Sequence, residues 1–261
     1  MKLGFIGTGN MAQALIKGVG FNPESIYISN KTQSKAKEFA KNHSLNFCQS
    51  NIDVCKNSKI IFICVKPVHF KEVLEEITPY LDDKILISIA AGITINFLKE
   101  HTQNKCKVVR TMPNTPSQVL CGMTGISFDD KTTGAEQVFI LELFKRFGEA
   151  VAVAEKDMHT VVALSGSSPA YAYMFVNAMA KAGENLGLDY DKSVLLSAQA
   201  IMGACKMILE TDTPIETLKQ NVCSKGGTTI EGVAVLENDI DTLMQKTVEA
   251  VYKKSEFLSN S

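Results

Sequence analysis

The stretch "LGFIGTGNMAQALIKG", residues 3 to 18, decides how the first half of the chain is read. Apolar or small residues from Leu3 to Ile6 run straight into Gly7, Gly9 and Ala12, and from Met11 onward the apolar residues recur at helical spacing. A strand, a tight turn and a helix start in that order make a GxGxxA dinucleotide fingerprint. The first glycine permits the turn, the second lets a pyrophosphate approach the main chain, and the small third residue lets helix and strand pack closely. Gly7, Thr8, Gly9, Asn10 and Met11 are therefore candidate cofactor-binding residues.

Outward from this unit, short apolar runs alternate with helical patterns as far as about Lys156. The pattern predicts strands over 2–6, 25–29, 60–65, 85–90 and 107–111, followed by "TGISFD" and "AVAVA". Between them "MAQALIKGVG", "SKAKEFAKNH", "FKEVLEEITPYL" and "EQVFILELFKRFG" carry apolar residues at helical spacing. Alternation of this kind belongs to an α/β fold, a doubly wound parallel sheet of Rossmann type. After Glu155 strand-like alternation stops and the rest reads as helix. The expected organisation is a dinucleotide-binding domain over 1–156 and an all-helical domain over 157–261. The segment "KSVLLSAQAIMGACKMILET" is apolar or small nearly all round, so the helical domain is expected to associate with a copy of itself.

Composition narrows the partners. With a formal charge of -1 among 261 residues, 45% hydrophobic and 21% charged, the chain has no general pull towards nucleic acid or an anionic membrane. The runs "IIFICV" and "ILISIAAGI" are too short to span a bilayer. Seven cysteines without a CxxC pair, behind a start that enters a strand rather than a signal peptide, read as reduced thiols in the cytoplasm. His43, His69, His101 and His159 are too scattered in sequence to predict a metal site.

The cofactor's identity rests on the end of the second strand, where NAD enzymes place an acidic residue on the ribose. Here the sequence is "ISNKTQSK": Ser29, Asn30, Lys31 and Thr32, with Lys35 one turn on, suit a 2′-phosphate. NADPH is the expected cofactor and NADH the alternative. Val65, Lys66, Pro67, Ala91 and Gly92 fall at carboxyl ends of strands, the edge where open α/β sheets bind ligands. "RTMPNTP" reaches the same edge and offers Asn114, with an expected place beside the nicotinamide.

Late in the chain, "SKGGTTIEG", residues 224 to 232, interrupts helical sequence with a glycine pair. Each glycine costs about 1 kcal/mol relative to alanine inside a helix, so the break implies a turn and a new helix start. The free N–H groups of such a start form an anion site, and Gly226 and Gly227 would let a carboxylate come close. Thr228 and Glu231 have the spacing of a capping box, while Ser224 and Thr229 add hydroxyls.

Taken in order, "GFIGTGNMA", "VKP", "SIAAGI", "MPNTP", "ALSGSSPAY" and "SKGGTTIEG" resemble the pyrroline-5-carboxylate reductases, over essentially the whole chain. The resemblance implies hydride transfer from NAD(P)H to the imine carbon of a small cyclic imino acid, Δ1-pyrroline-5-carboxylate, giving proline. It implies that the amides of Gly227, Thr228 and Thr229 hold the substrate carboxylate, and that Thr229 meets the ring nitrogen. Ser224 and Gly226 complete the substrate set, Thr229 and Lys66 are the catalytic candidates, and Asn51 and Asn221 match positions near the cofactor and substrate. It further implies a domain-swapped homodimer, often assembled into a decamer, whose active site combines one subunit's Rossmann edge with its partner's helices. One departure stands out: Lys225 replaces the proline usual before the glycine pair.

Two other readings compete. A β-hydroxyacid dehydrogenase would share the glycine loop and use a helical-domain lysine, Lys181 or Lys206, but has no use for the glycine-threonine segment. A dinucleotide sensor would keep the first loop and not turn over.

Overall fold

In the computed structural model, which describes residues 1–259, the strands are β1 (Leu3–Ile6), β2 (Ile26–Ser29), β3 (Asn46–Phe47), β4 (Ile60–Ile63), β5 (Ile85–Ser88), β6 (Lys107–Met112), β7 (Gly122–Phe128) and β8 (Gly148–Ala152). They form one sheet in the order β3-β2-β1-β4-β5-β6-β7-β8. Helices α1 (Asn10–Gly18), α2 (Gln33–His43), α3 (Asn51–Asn57), α4 (Phe70–Ile77), α5 (Ile95–His101) and α6 (Gly134–Lys145) cover it on both faces.

Strand periodicity assigns the faces. Leu3, Phe5, Ile60, Phe62, Ile85 and Ile87 pack with Leu15 of α1, Phe39 of α2 and Phe144 of α6. Ile6, Ile61, Ile63 and Leu86, one residue out of phase, pack with Val54 of α3, Phe70 and Leu74 of α4 and Leu98 of α5. The strand runs read as continuously apolar because both faces are buried.

Three features depart from the sequence pattern. β3 has two residues, too few to alternate. Helices α3 and α5 bury only two residues each and owe their starts to caps: Ser50 accepts the N–H of Asp53 at 3.1 Å and Thr94 that of Phe97 at 3.0 Å. β7 runs antiparallel to β6, with Arg110 opposite Ser127. The link between them, a short turn over Thr115–Val119, leaves no room for the crossover a parallel strand needs.

The sheet unit extends through Ser167 and takes in the chain again from Ala250, while Ser168–Glu249 form a second unit. This differs from the boundary drawn at residue 156. Helix α7 (Met158–Val161) and the π-helical stretch Val162–Gly166 bury Met158, Val162 and Ala163. Val161 lies so close to β7 that a Cβ on Gly125 would be 2.6 Å from its Cγ1.

The second unit holds α8 (Ser168–Asn185), α9 (Tyr190–Glu210), α10 (Ile215–Val222), α11 (Thr228–Glu237) and the start of α12 (Ile240–Ser259). α8 and α9 pack together beyond a turn at Gly187, where φ is +92°. Leu195, Leu196, Met202 and Leu209 on α9 are 58–80% exposed. By length and composition alone α9 is long and apolar enough to cross a membrane, a test that a helix packed inside a protein also passes; the runs read in the sequence miss it because its apolar residues are spaced by small and polar ones.

Candidate active site

β1 ends in Gly7, whose N–H donates to the carbonyl of Ser29 at 2.9 Å with φ at +96°. A Cβ there would stand 2.8 Å from the main-chain oxygen of Cys64, so the turn accepts only glycine. Gly9 is the N-cap of α1, in extended backbone, and no heavy atom lies within 4 Å of where its Cβ would be. The start of α1 has neither a side-chain cap nor an acidic residue in its first turn. An uncapped helix start beside an open glycine fits a pyrophosphate. Ala12, on the same helix, is 1% exposed, and Leu15 packs the helix into the core.

A cleft of about 300 Å³ opens at the ends of β1, β2 and β4. It brings together Gly7, Asn30, Lys31, Asn51 and Val65 of the residues expected from sequence. Asn30 spends its amide on the walls: Oδ1 accepts the N–H of Thr8 at 3.3 Å, and Nδ2 donates to the carbonyl of Thr32 at 3.3 Å. Lys31 and Lys35 are exposed, the former on the cleft. Lys66 is exposed, and Pro67 opens a short 3-10 turn in which His69 donates to the Lys66 carbonyl at 2.9 Å.

Sequence reasoning missed part of this lining. His69, Glu72 and Glu76 also face the cleft. Glu72 and Glu76 stand one turn apart on α4, opposite its buried Leu74. That spacing was the available signal. Asn51 joins them, receiving the Ser29 hydroxyl on Oδ1 at 2.7 Å and donating from Nδ2 to Glu76 Oε2 at 2.7 Å.

Ala91, Gly92 and Asn114 do not line this cleft. Ala91 and Gly92 border a separate apolar groove of about 270 Å³ with Val162, Val251 and Leu258. Gly92 has φ at +83°, and a Cβ on it would lie 3.2 Å from the Leu258 carbonyl oxygen. Asn114 is buried and engaged at both ends of its amide. It accepts the N–H of Met123 at 2.9 Å and donates to the carbonyl of Ser165 at 3.0 Å, tying "MPNTP" to "SGSSP". In this arrangement its amide braces two loops rather than standing open beside a nicotinamide.

Beneath that brace, buried Arg110 pairs with Glu155 at 3.1 Å, and Glu155 also accepts the N–H of Ile95 at 2.6 Å. Burial lowers the guanidinium's pKa and Glu155 opposes the shift. His159 holds Ser255 of α12 at 2.9 Å, and its pKa is lowered by burial and by Arg110.

In the second unit, Gly226 has φ at +75° and Gly227 donates its N–H to the carbonyl of Ser224 at 2.9 Å. Gly227, not Thr228, is the N-cap of α11, and it makes no side-chain cap. The expected capping box of Thr228 and Glu231 is therefore absent: the glycine turn takes the cap position, and Thr228 becomes the first helical residue. The first-turn N–H groups are left without a side-chain cap, as an anion site requires. Thr229 is half-buried, while Thr228, Lys225 and, on the last turn of α10, Asn221 are exposed. Lys181 is exposed, and Lys206 pairs at 3.5 Å with Glu210 on the surface of α9.

Comparison with known proteins adds an independent line. Residues 155–258 match the family described as pyrroline-5-carboxylate reductase dimerisation, and residues 2–92 match NADP oxidoreductase, coenzyme F420-dependent. The chain is 40% identical to pyrroline-5-carboxylate reductase of Escherichia coli (strain K12), with 100% of this chain and 99% of the relative aligned. Among solved structures, a pyrroline-5-carboxylate reductase from Coxiella burnetii superposes with a TM-score of 0.94 at 31% identity, covering 100% of this chain and 99% of the other. A pyrroline carboxylate reductase from Plasmodium falciparum with NADP bound gives 0.87 at 33% identity, covering 99% and 98%.

Proposed function

The chain belongs to the pyrroline-5-carboxylate reductase family, and from that premise we propose that it reduces Δ1-pyrroline-5-carboxylate to L-proline, the last step of proline biosynthesis, using NADPH, with NADH as the alternative donor. It is an oxidoreductase. The observation that carries the substrate assignment is the start of α11: a glycine turn feeding a helix that has no side-chain cap. A small anion with one carboxylate matches such a cradle.

In this reading the N–H groups of Gly227, Thr228 and Thr229 receive the substrate carboxylate. Gly226 turns the chain, and Ser224 closes the turn through its carbonyl. The Thr229 hydroxyl hydrogen-bonds the ring nitrogen and orients its proton. An alcohol is a weak acid, so Thr229 relays a proton supplied by water or already carried by the iminium. Bound NADPH supplies the hydride that reduces the imine carbon.

The residues present fit that cofactor. The open position at Gly9 and the uncapped start of α1, through Asn10 and Met11, receive the pyrophosphate. Lys31, with Lys35, supplies positive charge for a 2′-phosphate, and Asn51 and Val65 line the adenosine end. Lys66 and Pro67 border the cofactor at the end of β4, with Asn221 among the groups near cofactor and substrate. Catalysis then comes chiefly from alignment of donor and acceptor.

The exposed apolar face of α9 and the match to a dimerisation family support a second copy of the chain as its partner, in a domain-swapped homodimer that assembles further into a decamer. Seven free cysteines support a reducing, cytoplasmic setting; burial pushes the thiols of Cys55 and Cys106 up to about 12.

Purified protein mixed with racemic pyrroline-5-carboxylate tests the reading. Oxidation of NADPH with stoichiometric proline, faster than with NADH, is expected. No turnover in the presence of tight NADPH binding would overturn it.

A further inference from the structure

We infer that Glu76, on α4, is a positioning residue for the dinucleotide, acting through the side-chain amide of Asn51. The inference rests on the cofactor half of the proposed function and is independent of the substrate. Asn51 stands on the cleft with Gly7, Asn30 and Lys31. A side-chain amide offers a donor at one end and an acceptor at the other, and turning it over exchanges them.

Ser29 alone does not choose between the two orientations, because a hydroxyl both donates and accepts. A carboxylate only accepts. Glu76 therefore draws Nδ2 of Asn51 to its Oε2 at 2.7 Å, which leaves Oδ1 for the Ser29 hydroxyl at 2.7 Å. Ser29 is 2% exposed, so water does not compete for that hydroxyl, and the chain of bonds is anchored at its inner end. The second N–H and the second lone pair of Asn51 are then fixed in place at the rim of the cleft, where a nucleoside presents hydroxyls and ring nitrogens.

Charge makes this placement informative. A carboxylate beside a bound polyanion opposes binding by Coulomb repulsion. Were Glu76 only a surface charge, removing it would tighten NADPH. Orientation of Asn51 predicts the opposite sign, and so the two roles separate in one measurement.

The test is NADPH affinity without imine, read by nicotinamide fluorescence, for wild type, Glu76→Ala, Glu76→Gln, Asn51→Ala and the double alanine variant. Glu76 is exposed on a helix and alanine favours helix, so the Glu76 variants fold, and urea midpoints confirm the fold of the Asn51 variants, which lose the acceptor of the buried Ser29 hydroxyl. Glu76→Ala is expected to weaken NADPH roughly fivefold, as loss of one orienting hydrogen bond does. Glu76→Gln can donate as well as accept, so it leaves the Asn51 amide free to turn and affinity stays reduced. In the Asn51→Ala background, removing Glu76 weakens nothing further. Unchanged or tighter binding by Glu76→Ala overturns the inference, and so does weakening that persists without Asn51. Failure of the wild-type chain to take up NADPH overturns the cofactor reading together with this inference, a result distinct from binding that is indifferent to Glu76.

Discussion

Gly227 donates its N–H to the carbonyl of Ser224 at 2.9 Å, and the Ser224 hydroxyl occupies the space into which a side chain at position 227 would grow. The turn before α11 is thus closed from within, and a side chain at that position would require the Ser224 hydroxyl to rotate away and would press on the Ser224 carbonyl, 3.1 Å from the added Cβ.

Gly227→Ala turns the Ser224 hydroxyl out of its place and crowds the Ser224 carbonyl that the turn's hydrogen bond uses. Gly226→Ala forces alanine to a φ of +75°, which costs about 1–2 kcal/mol in the left-handed region. Both variants are expected to raise the KM for the imine about tenfold or more while leaving the NADPH Kd unchanged, because the cradle is distorted and the cleft at Gly7 is not. Steady-state kinetics and direct cofactor titration check the split.

Thr229→Ala removes the hydroxyl and keeps the main-chain amide. Turnover is expected to fall by about 10- to 100-fold with NADPH affinity nearly unchanged, and Thr229→Ser to recover most of it. Intact turnover in the alanine variant would remove Thr229 from the chemistry.

Lys31 lines the cleft and Lys35 lies one turn on along α2, both as exposed cations that the proposed function assigns to a 2′-phosphate. Replacing both with alanine is expected to weaken NADPH about tenfold at low salt, with little effect on NADH, and to flatten the salt dependence of NADPH binding. Titrations of both dinucleotides at two ionic strengths measure this.

The sheet and the glycine turn at its edge were legible because their signals are local. Gly7 is required by a turn between adjacent residues, and strands buried on both faces read as apolar runs. The start of α11 was legible as a glycine interruption, but its cap was not: whether Gly227 or Thr228 takes the cap position depends on the Ser224 turn. Asn114 looked like a site residue because it lies at a strand end, yet its partners Met123 and Ser165 come from segments that sequence spacing does not bring together. Glu76 was hidden for the same reason, being 25 residues from Asn51.

His159 gives the sheet unit a pH dependence of known sign. Burial and Arg110 lower its pKa below the ordinary 6.5, while Glu256 and Glu155 act weakly the other way. As pH falls through 6.5 the unfolded chain takes up a proton that the folded chain resists, so stability contributed by neutral His159 is lost on acidification and is complete above that value. Urea midpoints measured at about pH 7.5 and 5.5 are expected to fall less for His159→Asn than for wild type. Equal falls would show that His159 is not a source of the slope.

The most direct measurement follows the transferred hydrogen. NADPH carrying deuterium at both C4 positions, incubated with the protein and pyrroline-5-carboxylate, is expected to yield L-proline one mass unit heavier, with the label at C5. Unlabelled proline, or oxidation of the cofactor without proline, would contradict the account.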